Sequence, residues 1–550
     1  MFLARIAAIS LAAAGSLASA SAYAQSPGLR DVIDREIKAS WAKESITPPS
    51  QASDSTFLRR IYLDLVGMIP TYDETTAFLR DADPKKREKL IDKLLADPRF
   101  ARQQAHVWDL AMLGRKNKLV EGNVGYRNRE RFRQWLTKQF EANEPCDRIA
   151  AKILEAQETD SQLFLAANNS TDEMVTSVSR FFLATQIQCA KCHDHPFEPW
   201  TQKDYHGMAG FFVRTMVVEV AGKPEITNQK GKQFRVGERT VGEVTFALPA
   251  PTPKAGEKPA KKDKKDSVPV RPKFLNGEDL AEPEPPPGFV EPKLKGDEIP
   301  PKPAFSRREK FIGWMTAKDN PFFAKATVNR IWAQFMGRGF VHPVDDFNSS
   351  NPPAHPQLLK AIESEFRARK FDLKWLVREI VNSEAYQVTD IGPVPDALPK
   401  HYERARIRPL SVEELTASLQ VATGGGVETA LKLEPNAQMM QYLGEPADGQ
   451  GRFQGSLSEH LYLHNGDQFR SMCRPNKGNL PEKLLTGAEP WDAKVERMFL
   501  SVLSRPATSE ERDRFARYLS ADSQDAKMAS QRVEDAMWVL VSGSEFRFNR

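Results

Sequence analysis

Cys189, Ala190, Lys191, Cys192, His193, Asp194, His195, Pro196 and Phe197 follow one another in a chain of 550 residues that holds only four cysteines and nine histidines. No other segment concentrates ligating side chains in this way. C-x-x-C-H is the spacing of c-type haem attachment. Two thiols three residues apart on one turn can both reach the vinyl edges of a porphyrin. A histidine directly after the second thiol can turn its ring towards the iron as the proximal ligand. On this reading Cys189, Cys192 and His193 carry haem c. Asp194 and the backbone near Pro196 would orient the other imidazole nitrogen.

The same residues support other chemistry. Cys189, Cys192, His193 and His195 offer soft thiolates and imidazoles suited to zinc, copper or iron. Only some of them can converge on one ion, because adjacent loop residues point different ways, so Asp204 or a distant histidine would complete the set. A second loop, His342 to His355, carries Asp345, Asp346 and several prolines. Those carboxylates suit cation binding or acid–base work. They equally suit a stiff turn in which Asp and Asn cap the backbone. If the two loops meet in space, the functional alternative gains. A plain Cys189–Cys192 disulfide is the third reading. A thioredoxin-like pair is disfavoured, since no βαβ pattern surrounds it. For haem, His195 lies too close to His193 to reach the opposite face of the ring. His106, His206, Met208, Met216, His342 and His355 are the sixth-ligand candidates, and five-coordinate iron is the alternative. Cys146 and Cys473 are left to pair or stay free. Neither a nucleophile elbow, nor a P-loop, nor H-E-x-x-H occurs.

These residues need positioning elements, and the patterning supplies mostly helices. The chain opens with a short charged n-region, an apolar run from Ile6 to Leu17 and Ala22-Tyr23-Ala24, which reads as a signal peptide over residues 1–24. The run is too short for a stable span, and no later run of about 18 apolar residues follows. The expectation is an exported protein, periplasmic or at the cell surface, without a transmembrane span in its mature chain. Export matches the compartment in which haem is attached and also permits disulfides. With 78 basic against 73 acidic side chains the charge is nearly balanced, so charge gives no reason to expect a nucleic-acid partner. Hydrophobic residues at 40% allow a large core.

Helical periodicity runs over residues 28–40 and 55–67, then near 85–96, 99–113, 129–142 and 172–188, with a helix-like stretch at 203–213. Thr71-Tyr72-Asp73-Glu74 and Ser306-Arg307-Arg308-Glu309 read as capping boxes. The recurring aromatics Phe57, Tyr62, Phe78, Phe100, Trp108, Phe132, Trp135 and Phe140 read as core. Residues 215–220 and 243–248 read as strands. Residues 249–304 are crowded with proline and lysine, too poor in apolar surface to offset their chain entropy, with 274–277 a candidate docked strand. Helices resume from 306, running from about 320 to 336, then near 357–369, 372–384, 411–423, 492–504, 509–520 and 528–541. The fold class is therefore mainly α: a helical domain at 25–215 containing the CxxCH motif, a β insert and Pro/Lys-rich linker at 216–305, and a second helical domain at 306–550. Arg60 to Glu74 and Arg497 to Glu511 share one grammar of helix, turn and capped helix.

Several of these stretches together resemble two known families. Phe57-Leu58-Arg59-Arg60-Ile61-Tyr62-Leu63-Asp64-Leu65-Val66-Gly67 with Ile69-Pro70-Thr71, and Cys189 to Phe197 with Trp200-Thr201-Gln202-Lys203-Asp204-Tyr205, resemble the planctomycete surface cytochrome-like family. Asp319 to Ala324, Val328-Asn329-Arg330-Ile331-Trp332, Pro343 to Phe347, Asn351 to Pro356 and the closing Ser544 to Asn549 resemble its companion, the planctomycete surface domain family. His206 stands where the first family usually has a second tyrosine. The resemblance implies a surface or periplasmic protein with a cytochrome-like motif and no established reaction. The leading expectation is thus a redox protein exchanging electrons with a partner protein. The competing expectations are a metal-dependent enzyme built from the two loops and a noncatalytic surface scaffold with a disulfide at its centre.

Overall fold

The computed structural model describes residues 28–115, 122–221, 232–247, 267–392, 398–433, 435, 437–443, 457–521 and 524–550. The expected signal peptide over 1–24 and the lysine run at 258–266 lie outside them. Helices dominate, and the expected mainly α class is observed. The first ten are α1 (Leu29–Lys43), α2 (Asp54–Val66), α3 (Tyr72–Arg80), α4 (Lys86–Ala96), α5 (Pro98–Leu113), α6 (Gly122–Glu141), α7 (Cys146–Glu155), α8 (Leu163–Ala167), α9 (Thr171–Leu183) and α10 (Gln202–Ala209). Then follow α11 (Arg307–Met315), α12 (Phe323–Met336), α13 (Pro356–Ala368), α14 (Leu373–Asn382), α15 (Val412–Ala422) and α16 (Val427–Lys432). The later ones include Trp491–Val502, Ser509–Ser520 and Ala526–Ser542. No helix among the described residues is long and apolar enough to cross a membrane.

Local chemistry sets these boundaries. Thr71 and Glu74 form the expected capping box, and Ser170–Glu173, Thr201–Asp204, Ser411–Glu414 and Thr508–Glu511 form others. Each satisfies two backbone donors that a helix start leaves open. At Ser306 only half of the box forms. Its hydroxyl accepts from Glu309 N and donates instead to the buried Glu238, at 2.5 Å. Gly67 ends α2 at φ +70°, where a Cβ would come within 2.3 Å of the Gln103 side chain. That position therefore needs glycine.

The small β elements differ in detail from the sequence expectation. Thr215–Ala221 (β1) pairs antiparallel with Lys232–Glu238 (β2), and Val244–Ala247 (β3) with Ser267–Val270 (β4). The strand expected at 274–277 is a turn, closed by Gly277 N donating to Phe274 O at 2.9 Å. It is nonetheless docked: Phe274 packs against Phe211 and Trp314, with ring centroids 4.7 and 5.1 Å away. The proline-rich path is held too, since Glu282 accepts from both Arg214 and the fully buried Arg307.

One apolar core joins helices from early and late in the chain, and every aromatic expected in it is buried. α1 packs on α13 and α14, and α4 packs on α14. α2 is buried on nearly all sides, so its charged residues must find partners inside. Arg59 donates to the carbonyls of Val502 and Phe546, and Arg60 to those of Tyr386, Val388 and Arg550. Asp64 accepts from Tyr386 Oη at 2.8 Å, Arg408 at 2.9 Å and Asn549 at 2.7 Å. The first signature helix thus grips the last residues of the chain, which form a short antiparallel pair with Arg408–Pro409.

Near the C-terminus, Arg505 makes two hydrogen bonds to Glu511, both 2.8 Å long. Those bonds come first among the causes that lower the Glu511 pKa from 4.5 to about 2. A folded value below the unfolded one means the pair contributes above about pH 4.5 and fades as pH falls towards 2. Arg505→Gln is expected to return Glu511 to the ordinary carboxylate range in an NMR titration. A value still near 2 would contradict this assignment.

Candidate functional site

The CxxCH loop hangs between two anchored helices. α9 ends at Ala184, whose φ of +48° turns the chain, and Ile187 and Ala190 are buried on either side of Cys189. A short 3-10 turn, Gln188–Lys191, presents Cys189 outwards, and Cys192 and His193 follow it into solvent. The loop closes on itself where His195 N donates to Trp200 O at 2.8 Å. Asp194 Oδ1 accepts from Gln202 N at 2.9 Å, at the start of α10. Lys191 pairs with Asp172 at 2.5 Å, and Tyr205 Oη donates to the same carboxylate at 2.9 Å. Burial would raise the Asp172 carboxyl, but the bonds from Lys191 and Tyr205 outweigh it and hold it below its ordinary value.

The two loop histidines differ in kind. His193 Nδ1 lies 2.8 Å from the carbonyl oxygen of Asp194. A carbonyl only accepts, so in the neutral ring Nδ1 carries the proton and Nε2 keeps its lone pair. His195 Nδ1 instead accepts from the amides of Glu198, at 3.0 Å, and Phe197, at 3.3 Å. In its neutral form the proton therefore sits on Nε2, which is then no ligand. Asp194, expected to orient the imidazole, does so through its backbone oxygen, while its carboxylate caps α10.

The second loop does meet the first. Phe347 N donates to Ala184 O at 3.1 Å, and Ser349 N and Oγ donate to Glu198 at 2.9 and 2.7 Å. Arg180 of α9 reaches Asp345 at 3.2 Å. The loop contains a cis His342–Pro343 bond. Fully buried Asn329 clamps it, bonding Val341 N and O and Val344 O at 2.9 to 3.0 Å. His355 donates Nε2–H to Lys400 O at 2.8 Å, and burial pushes its pKa below the ordinary value.

Contact between the loops does not gather the candidate metal ligands. Asp204 is spent on its capping box and on Lys273, 2.6 Å away. Asp345 faces Arg180, Asp346 accepts from Asn348 at 3.0 Å, and His355 sits against Lys400. Among the described residues no group of three or more His, Cys, Asp or Glu is arranged to hold a metal ion. All four cysteines are free: Cys189 and Cys192 exposed, Cys146 and Cys473 buried. The pairing left open for Cys146 and Cys473 is not made, and burial pushes the Cys473 thiol up to about 12. Three of the sixth-ligand candidates have other occupations. His106 lies against Glu413, Met208 is fully buried, and His206 is bonded to the Lys191 backbone, with burial lowering its pKa.

Glu198, Asn329 and Arg180 were not singled out by spacing. Asn329 and Glu198 do lie inside stretches conspicuous in the sequence, V-N-R-I-W and H-P-F-E-P-W, but their partners are far away along the chain.

Helices thus surround one exposed, doubly anchored C-x-x-C-H loop in a mainly helical protein. Residues 32–216 match the PSCyt2 family, a protein of unknown function (DUF1549), and residues 307–446 match the PSD1 family, likewise of unknown function (DUF1553), so the chain carries a domain of each family. No curated protein and no solved structure matches it.

Proposed function

We propose that this chain is an exported, c-type cytochrome-like redox protein, carrying haem covalently at Cys189 and Cys192 with His193 as axial ligand. The observation that carries the reading is the 2.8 Å approach of His193 Nδ1 to the Asp194 carbonyl oxygen. In the neutral ring Nδ1–H is committed to that carbonyl, which leaves Nε2 as a bare donor one residue beyond an exposed, unpaired thiol. The donor set fits the group: two free thiols able to add across vinyl groups, and one imidazole already holding the ligating tautomer. When bound, haem supplies one-electron transfer with a redox partner protein. The chain's own residues hold the attachment turn. Ile187 and Ala190 pin it to the core, and Lys191, Asp194 and Gln202 close its base. Phe197, 79% exposed, adds an apolar contact beside it, suited to a partner surface at the periplasmic or cell-surface site of action.

The histidines test this directly. In a host with active haem-attachment machinery, His193→Ala is expected to lose the wild-type haem spectrum. His195→Ala should keep that spectrum, because its Nδ1 serves the loop backbone. Identical spectra for the two variants would overturn the assignment.

A further inference from the structure

Beyond the second matched family region, which ends at residue 446, the helix Leu457–Asn465 carries His460 and His464. Residues four apart on a helix are neighbours on one face. Their rings meet here, with centroids 4.2 Å apart and planes inclined at 45°. His460 is exposed and His464 half-buried.

The lone pairs of these two rings are unspent. The other seven histidines of the chain are engaged, from His106 against Glu413 to His401 beside the Ser40 hydroxyl at 3.1 Å. His460 and His464 make ring contacts only. They touch each other, and His464 meets Trp538 edge-on with centroids 5.7 Å apart. Among the described residues neither makes a hydrogen bond or an ion pair.

The helix is held from its inner side. Glu459 accepts from the buried Arg547 at 3.1 and 2.8 Å, Leu463 is buried, and Tyr462 stacks on Tyr442 with centroids 5.0 Å apart. The backbone positions of the two imidazoles are therefore set before any ligand arrives. The local charge accepts a cation. Arg470, which lies over Trp538, is neutralised by Glu534 at 2.8 Å and Asp535 at 2.5 Å. His464 stands in the last turn of its helix, where the peptide dipoles favour positive charge.

We propose that His460 and His464 form a binding site for a divalent late transition-metal ion, with Cu²⁺ the tightest. Imidazole suits copper, nickel and zinc, and Cu²⁺ heads the affinity order at a nitrogen site. The 4.2 Å separation of the rings suits two nitrogens at adjacent corners of a tetragonal site, a geometry that Cu²⁺ and Ni²⁺ adopt. Two protein nitrogens are the ligands and water fills the other positions, since no group of three or more His, Cys, Asp or Glu gathers among the described residues. The proposal does not rest on the haem reading.

Calorimetric titration with Cu²⁺ tests it, on the full chain carrying Cys189→Ser/Cys192→Ser so that neither exposed thiols nor haem interfere. This parent chain is expected to bind the ion at the pair. His460→Gln and His464→Gln, each leaving one imidazole, should both weaken that binding by about tenfold or more, a loss of about 1.4 kcal/mol. The thermal midpoint of each variant without metal shows whether the fold is kept. The bound ion should also quench the neighbouring Trp538, so Trp538→Phe is expected to reduce the quenching. If the parent chain binds no Cu²⁺, if either histidine variant binds it as tightly as the parent, or if Trp538→Phe leaves the quenching unchanged, the proposal fails.

Discussion

Asp109→Ala is expected to cost about 3–5 kcal/mol of folding stability, the range for removing one partner of a buried ion pair. Asp109 is fully buried on α5, and one of its oxygens accepts from Arg129 at 2.6 Å and from Arg133 at 2.7 Å. Both arginines stand on α6. Arg129 is itself buried, and burial already pushes its pKa down, so without Asp109 its charge loses the one ion-pair partner it has among the described residues. The cost is that of a stranded cation, larger than the loss of two ordinary hydrogen bonds. Urea unfolding measures it, and a loss below about 1 kcal/mol would show that the pair does not organise the α5–α6 contact.

The second large effect is all-or-none. Cys189→Ser/Cys192→Ser is expected to abolish covalent haem while leaving the fold unchanged, within about 0.5 kcal/mol, as for other surface substitutions. Both thiols are exposed and unpaired, and the loop is held by Ile187, Ala190, Lys191 and Asp194, none of which the change touches. A structural disulfide behaves in the opposite way, since its removal typically costs about 2–5 kcal/mol. Haem content and thermal melting, taken together on the one double variant, therefore separate the redox protein from the scaffold. A large fall in stability with no haem in the wild type would favour the scaffold.

Much of this molecule is written locally. Periodicity placed α2, α5, α13 and the helix Ser509–Ser520 to within a residue or two, and a capping box placed the start of α3, because 3.6-residue spacing and a Thr-x-x-Glu start are properties of adjacent residues. The CxxCH loop was legible for the same reason. What was not legible is long-range. Nothing near Asp64 announces Arg408, Tyr386 or Asn549, and nothing near Glu198 announces Ser349. The strand partners 232–238 and 267–270 lay in stretches too polar or proline-rich to read as strands, and pairing register depends on the opposing chain. Asp204, Asp345 and His355 looked like ligands by type, yet each meets a nearby cation or carbonyl instead. Residue type proposes a ligand; only geometry says whether its lone pairs are already spent.

The most direct test of the central claim is the intact mass of the exported wild-type chain, produced with haem-attachment machinery active, together with its visible spectrum in pyridine. Covalent attachment raises the mass by one haem and gives a c-type haemochrome, and both are expected to be absent from Cys189→Ser/Cys192→Ser. A colourless protein of unmodified mass from a host that matures other c-type cytochromes would contradict it.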